Sequence, residues 1–338
     1  MMVKILLNRI AFYLVFCFIG NLVQANPFQI DFSCPSTLSN EEYINVQKEL
    51  RKINIEPLVK KWYEGHPNLV PLQDFYNRCS TGKNQILIDE EKGFFPIQKL
   101  EKIGRGGSSC IVTYASYNGF YPHFLRSFLK ELKASGFNGY ILYRLGGFPN
   151  PTGQDIQYAG VPYSFKIPMM LEAKNLGFEK VLWLDCAVIP LQNIQFLFDY
   201  IDREGALLYG GRFTEAANYL LSETRYKLIQ MTGIDVLEAD YISARAFGLN
   251  MNSEQSKHFI LDYYRLLKEG LSFFSCFPEE FVFSALVKKH SYSWFPRYYQ
   301  KLFYVGEGGQ DTIERMCAAK EAGYFFYYRH KQIIEGYD

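Results

Sequence analysis

From Ile111 to Leu184 the chain alternates short apolar runs with amphipathic helical stretches, and this alternation restricts the fold more than any other feature. Ile111–Tyr114 is a β-branched run, Pro122–Ser135 carries apolar residues at helical spacing, and Gly139–Tyr143 reads as a second strand. Together they predict a βαβ unit. Tyr163–Leu176 predicts a further helix, with Pro168 tolerated in its first turn, and Lys180–Leu184 predicts a buried strand ending at Asp185. Strands alternating with helices need both sheet faces covered. The expected class is therefore α/β, with a mixed, mostly parallel sheet flanked by helices over residues 105–338. In open sheets of this kind ligands sit beyond the carboxyl ends of the strands, which draws Thr113, Tyr114, Ser116, Arg144 and Asp185 toward one crevice. Gly104-Arg105-Gly106-Gly107-Ser108-Ser109 precedes a strand rather than joining strand to helix, so it reads as a linker and not a phosphate loop.

Residues 26–104 read as a mainly helical extension. Ser39 and Glu42 form a capping-box pattern ahead of a helix over 41–53, where Tyr43, Val46, Leu50 and Ile53 recur at helical spacing. A shorter helix is expected over Glu56–Tyr63, and Pro67 and Pro71 then break the pattern. The first 25 residues carry Lys4 and Arg9, the apolar run Ile10–Gly20, and then Val23-Gln24-Ala25, the layout of a cleaved export signal. The apolar run of about a dozen residues falls short of the roughly 20 that a helix needs to cross a bilayer. A single-pass N-terminal anchor is the alternative. An exported protein would be secreted, periplasmic or lumenal.

Composition narrows the function. With 48% apolar and 21% charged residues the chain can bury a core, and a net charge of +1 leaves no electrostatic footprint for nucleic acid. Of 7 cysteines, Cys17 lies in the signal, and the others show neither a CxxC pair nor zinc-ligand spacing, so disulfides and free thiols both fit.

Three ordered stretches carry a resemblance. Phe165-Lys166-Ile167 leads through Val181-Leu182-Trp183-Leu184-Asp185-Cys186-Ala187 to Val188–Ile194; Ala246-Phe247-Gly248-Leu249-Asn250-Met251 follows; Pro278-Glu279-Glu280-Phe281 then opens an apolar helix. In this order they resemble glycogenin-like and related GT-A glycosyltransferases across Ile111–His290. The resemblance implies a nucleotide-sugar donor, a glycan, protein or lipid hydroxyl as acceptor, and Asp185 at the place of the first aspartate of an Asp-x-Asp motif. It also implies Mn2+ or Mg2+, held by hard carboxylate oxygens against the donor diphosphate.

This chain departs from that pattern at Ala187, where the second aspartate would stand, and Cys186 is a poor ligand for either ion. Asp185 then serves as a lone metal ligand, binds donor hydroxyls without a metal, or merely caps the turn after its strand. Lys166 and Arg144 are candidates for the phosphates, with a solvated first-turn side chain the other reading of Lys166. Glu280, or its neighbour Glu279, is the candidate acceptor base, unless both only complement the helix dipole. His330, within Tyr327-Tyr328-Arg329-His330-Lys331, is similar to a C-terminal histidine metal ligand of some relatives, and a surface histidine fits equally. The rival to a transferase is a catalytically silent carbohydrate- or nucleotide-binding protein of the same fold.

Overall fold

In a computed structural model, residues 96–338 are described, apart from 118–119, 159–160, 162, 213–219, 221, 274, 276, 297–300, 306–310, 330–333, 335–336 and 338. The export signal, the helices expected over 41–53 and 56–63, and His330 lie outside the described residues.

Strand β1 (Ile97–Ile103) leads through a glycine turn to β2 (Ser109–Ala115), followed by helix α1 (Tyr121–Ala134) and β3 (Gly139–Leu145). Next come α2 (Lys166–Asn175), β4 (Lys180–Leu184), the short β5 (Val188–Pro190), α3 (Gln195–Glu204) and β6 (Ala206–Gly211). The remainder is α4 (Ser222–Thr232), β7 (Tyr241–Asn250), α5 (Glu254–Glu269), α6 (Pro278–His290), β8 (Phe295–Pro296), β9 (Phe303–Val305), α7 (Ile313–Glu321) and β10 (Phe326–Tyr328).

The main sheet has 7 strands in the order β1-β3-β2-β4-β7-β6-β8. β2 runs parallel to β3 and β4, whereas β7 is antiparallel to both β4 and β6. This is the expected mixed, parallel-centred α/β architecture. Alternation along β4 sends Leu182 and Leu184 to one face and Trp183 to the other. On the first face they meet Phe128 and Leu132 of α1 and Leu197, Phe198 and Ile201 of α3. On the second, Trp183 stacks on Phe247, whose ring meets Phe283 of α6 at 4.7 Å, and Phe283 meets Phe259 of α5 at 5.4 Å. Gly248 permits the close approach of α3, since a Cβ there would collide with the Ile201 side chain.

The sheet starts ahead of the expected boundary at residue 105. β1 pairs antiparallel with β3 from Ile97↔Leu145 to Ile103↔Gly139. Its sequence IQKLEKI is mostly exposed and carries Lys99, Glu101 and Lys102, charges that help an edge strand resist pairing with other chains, and this hides it from a search for apolar runs. The glycine-rich linker between β1 and β2 is a turn, with Gly104 at φ 55° and the Arg105 N–H donating to Asn138 Oδ1 at 2.8 Å.

A second sheet of 3 strands, β5-β10-β9, forms where the chain returns. β10 pairs antiparallel with β5, and the Arg329 N–H donates to the Ala187 carbonyl at 3.0 Å. Tyr328 is thereby carried to the turn that follows Asp185.

Candidate active site

β4 lies between β2 and β7, so its carboxyl end opens near the middle of the sheet. There the Asp185 N–H donates to the Arg245 carbonyl at 2.9 Å, and the Asp185 carbonyl accepts from the Val188 N–H at 2.8 Å, closing a turn. The Asp185 carboxylate remains 28% exposed, the one acid of the group that solvent reaches readily. Its Oδ1 accepts from the Trp183 indole N–H at 2.8 Å and from Lys166 Nζ at 3.1 Å.

Lys166 begins α2 and is buried. Its ammonium has three N–H donors, and three acceptors meet them: Asp185 Oδ1, the Ala244 carbonyl at 2.8 Å and Glu279 Oε1 at 2.5 Å. A cation at a helix N-terminus opposes the helix dipole, so this lysine depends on the carboxylates around it. Glu279 and Glu280 follow Pro278 in the first turn of α6, and both are buried.

Burial by itself would lower the Lys166 pKa, but Asp185, Glu279 and Glu280 together hold it above the ordinary lysine value. Glu279 is held above the usual carboxylate range, first by burial and then by the charge of Glu280, with Lys166 opposing. Burial raises Glu280 likewise, against Lys166 and Arg245. Two adjacent buried carboxyls beside one ammonium hold a proton more readily than either would in water.

Arg245, Tyr328, Tyr121 and Tyr163 complete the surroundings. The Arg245 guanidinium lies 4.0 Å above the Tyr328 ring, and the charges of Glu280 and Asp185 act on it. Burial raises the Tyr121 phenol, with Tyr163, Cys186, Asp185 and Tyr328 adding to the shift. Tyr163 holds a left-handed backbone at φ 55°, a strained conformation for a bulky residue. None of the four was singled out from sequence. Arg245 directly precedes the quoted Ala246 run and Tyr328 lies two residues before His330, so nearness to those motifs was the signal available.

Of the sequence candidates, Lys166, Asp185, Glu279 and Glu280 come together. Arg144 does not join them. Its Nη2 donates to Glu172 Oε1 at 2.7 Å and to Gln98 Oε1 at 2.8 Å, and Glu172 also accepts from the Asn150 N–H, so its charge is committed within a separate buried pair. Thr113 is fully buried, its hydroxyl without a hydrogen-bond partner among the described residues. The Tyr114 hydroxyl donates to the Gly147 carbonyl at 3.1 Å while its ring stacks on Phe165, and Ser116 is buried just beyond β2.

The residues present do not fit a divalent metal. Asp185 Oδ1 faces an ammonium that would repel a second cation, and Ala187 offers no oxygen from its side chain. The Cys186 thiol is buried and held protonated by that burial. Among the described residues no cluster of His, Cys, Asp and Glu is arranged to hold a metal ion.

In sequence, no protein family and no curated protein matches this chain. Several solved structures are similar in chain arrangement. Mouse xyloside xylosyltransferase 1, apo form, shares 11% identity over 67% of this chain and 98% of its own, with a TM-score of 0.38. The galactosyltransferase LgtC in complex with donor and acceptor sugar analogues shares 12% identity over 65% of this chain and 87% of its own, at a TM-score of 0.34. An active-site mutant of LgtC shares 13% over the same 65% and 87%, at 0.36. These likenesses assign no chemistry to the crevice.

Proposed function

We propose that this protein binds a nucleotide-sugar donor in the crevice beyond β4 and transfers the glycosyl group to a hydroxyl of a glycan, protein or lipid. One observation carries the reading: a partly exposed strand-end carboxylate, Asp185, and a buried helix-head carboxylate, Glu279, meet on a single ammonium, Lys166. In an open α/β sheet this is where ligands bind. Burying these charges is expensive unless they are paired, and the pairing here holds Asp185 in place at the mouth of the crevice.

In this scheme the free acceptor sites of Asp185 take hydrogen bonds from hydroxyls of the donor. Glu280, its carboxyl raised above the usual range by burial, accepts the proton of the attacking hydroxyl. The acceptor oxygen forms the new glycosidic bond, the bond from the anomeric carbon to the phosphate oxygen breaks, and the nucleoside diphosphate leaves with that electron pair. Lys166 fixes Asp185 and Glu279 in place, and no step requires a metal.

A second reading is a silent carbohydrate-binding protein. Tyr121 and Tyr328, packed against the cluster that holds Cys186 and Ala187, favour it, because aromatic side chains beside one carboxylate suit a neutral sugar. Binding and hydrolysis of a panel of nucleotide sugars, with and without manganese, together with binding of free glycans, separates the two. Turnover supports transfer, binding of free glycans alone supports the second reading, and binding of neither removes both.

A further inference from the structure

We propose that Arg245 is the cation that receives the donor diphosphate, a role that rests on the nucleotide-sugar reading and gives it a charge partner. A nucleoside diphosphate leaving group brings two or more negative charges into the crevice, and something positive must meet them. Lys166 is not free to do so, because all three of its donors are used by Asp185, Glu279 and the Ala244 carbonyl. Arg144 is spent on Glu172.

Arg245 differs from both. It is half-buried on β7, and its backbone carbonyl is tied to the Asp185 N–H. Among the described residues its guanidinium makes no hydrogen bond and no ion pair; it lies over the Tyr328 ring at 4.0 Å, and Glu280 and Asp185 act on it through charge alone. Arg225, by contrast, is paired with Asp235, and Arg265 donates to Asp262 at 2.9 Å. The charges of Glu280 and Asp185 offset the desolvation of this arginine, but its N–H donors keep no hydrogen-bond partner among the described residues, and an anionic ligand can supply one.

The stacking has a use. A guanidinium lying on an aromatic ring keeps its in-plane N–H donors at the ring edge, directed away from the stack, where two of them can bind two phosphate oxygens at once. Tyr328 is itself fixed, since β10 pairs with β5 in register Tyr328↔Val188. The anion would meet Asp185, Glu279 and Glu280 as well as Arg245 and Lys166. Asp185 and Glu279 are already bound to Lys166, and the buried glutamate pair readily holds a proton. Arg245 is then the cation of the crevice that has neither a hydrogen bond nor an ion pair among the described residues.

The test is calorimetric titration of the full chain, in chelator, with UDP, GDP and ADP and with the matching nucleosides, for the wild type, Arg245→Gln and Arg245→Lys. The expected result is metal-free binding of a diphosphate that weakens by about tenfold or more in Arg245→Gln and by less in Arg245→Lys, with nucleoside affinity little changed. Should Arg245→Gln melt well below the wild type, the Arg245→Lys ratio of diphosphate to nucleoside affinity gives the same reading. Diphosphate binding in chelator that Arg245→Gln leaves intact overturns the role of Arg245 and leaves the donor reading standing, as does binding that appears only with manganese. No binding of any diphosphate by the wild type removes the donor reading itself.

Discussion

The indole N–H of Trp183 donates to Oδ1 of Asp185, two residues further along the chain, at 2.8 Å. Trp183 is fully buried against Phe247, so the core of the sheet reaches up and holds the one solvent-facing acid of the crevice. The same oxygen receives Lys166. Asp185 therefore serves the fold and the site together, and its substitution should register in both.

Asp185→Ala is expected to weaken donor binding and to lower stability, each by about 1–3 kcal/mol, the scale for losing charge-assisted hydrogen bonds. Folding survives because Lys166 keeps Glu279 and the Ala244 carbonyl. Urea unfolding and donor titration of the variant measure the two losses separately. A full loss of stability with unchanged affinity would make Asp185 a turn residue only.

Lys166→Met is expected to be far more damaging. It leaves Asp185, Glu279 and Glu280 facing one another without their shared cation, and removing one partner of a buried ion pair costs about 3–5 kcal/mol. Circular dichroism and urea titration read this directly. A variant as stable as the wild type would show that the three acids are not held by charge.

Stability should fall as pH rises from about 5 to about 9, and Glu279→Gln should flatten that slope. The sign follows from the direction of the shift. The folded-state pKa of Glu279 is raised, so its contribution is present in acid and is lost as pH climbs through the folded value. Glu280, Lys166 and Tyr263 interact with it, and Arg245 and Asp185 act on Glu280 in turn, so these groups shape the transition. Asp262 runs the other way: against the effect of burial, His290 and Lys289 hold its carboxyl below the usual range, so its contribution is lost as pH falls. Thermal melts across the range, in the wild type and Glu279→Gln, check the assignment.

Ala187→Asp alone should not create a manganese site, although it restores the second carboxylate of the Asp-x-Asp pattern. The Lys166 ammonium 3.1 Å from Asp185 Oδ1 still excludes a second cation. Ala187→Asp combined with Lys166→Met should bind manganese if the double variant folds. Electron paramagnetic resonance titration of both variants decides it, and tight binding by the single variant would contradict the proposed exclusion.

We expect the exported protein to begin at Asn26, because Val23 and Ala25 supply the small side chains before a cleavage point. N-terminal sequencing of exported material tests this. Full-length chain recovered from a membrane fraction would favour an uncleaved anchor.

Local periodicity made much of the frame legible in the sequence. The runs Ile111–Tyr114, Gly139–Tyr143 and Lys180–Leu184 lie within β2, β3 and β4, and Pro278 was recognisable as the head of α6. What stayed hidden depends on contacts distant in sequence. Arg144 stood at a strand end, as a ligand-binding residue would, but its partner Glu172 comes from the second turn of α2, and no spacing announces that pair. Arg245 reaches the crevice because β7 runs antiparallel beside β4, and Tyr328 because β10 pairs with β5. Antiparallel register over such separations is set by the whole sheet and not by neighbouring residues. β1 was passed over for the opposite reason, since an exposed edge has no apolar alternation to read.

The return of β10 to β5 also orders events while the chain is being made. Val188–Pro190 leaves the ribosome well before Phe326–Tyr328, which must travel back to pair with it. The sheet from β2 to β7 can form from segments already released, but the aromatic wall behind Arg245 cannot. The crevice therefore gains this wall only after Phe326–Tyr328 has emerged and paired with Val188–Pro190, a late, long-range step of folding.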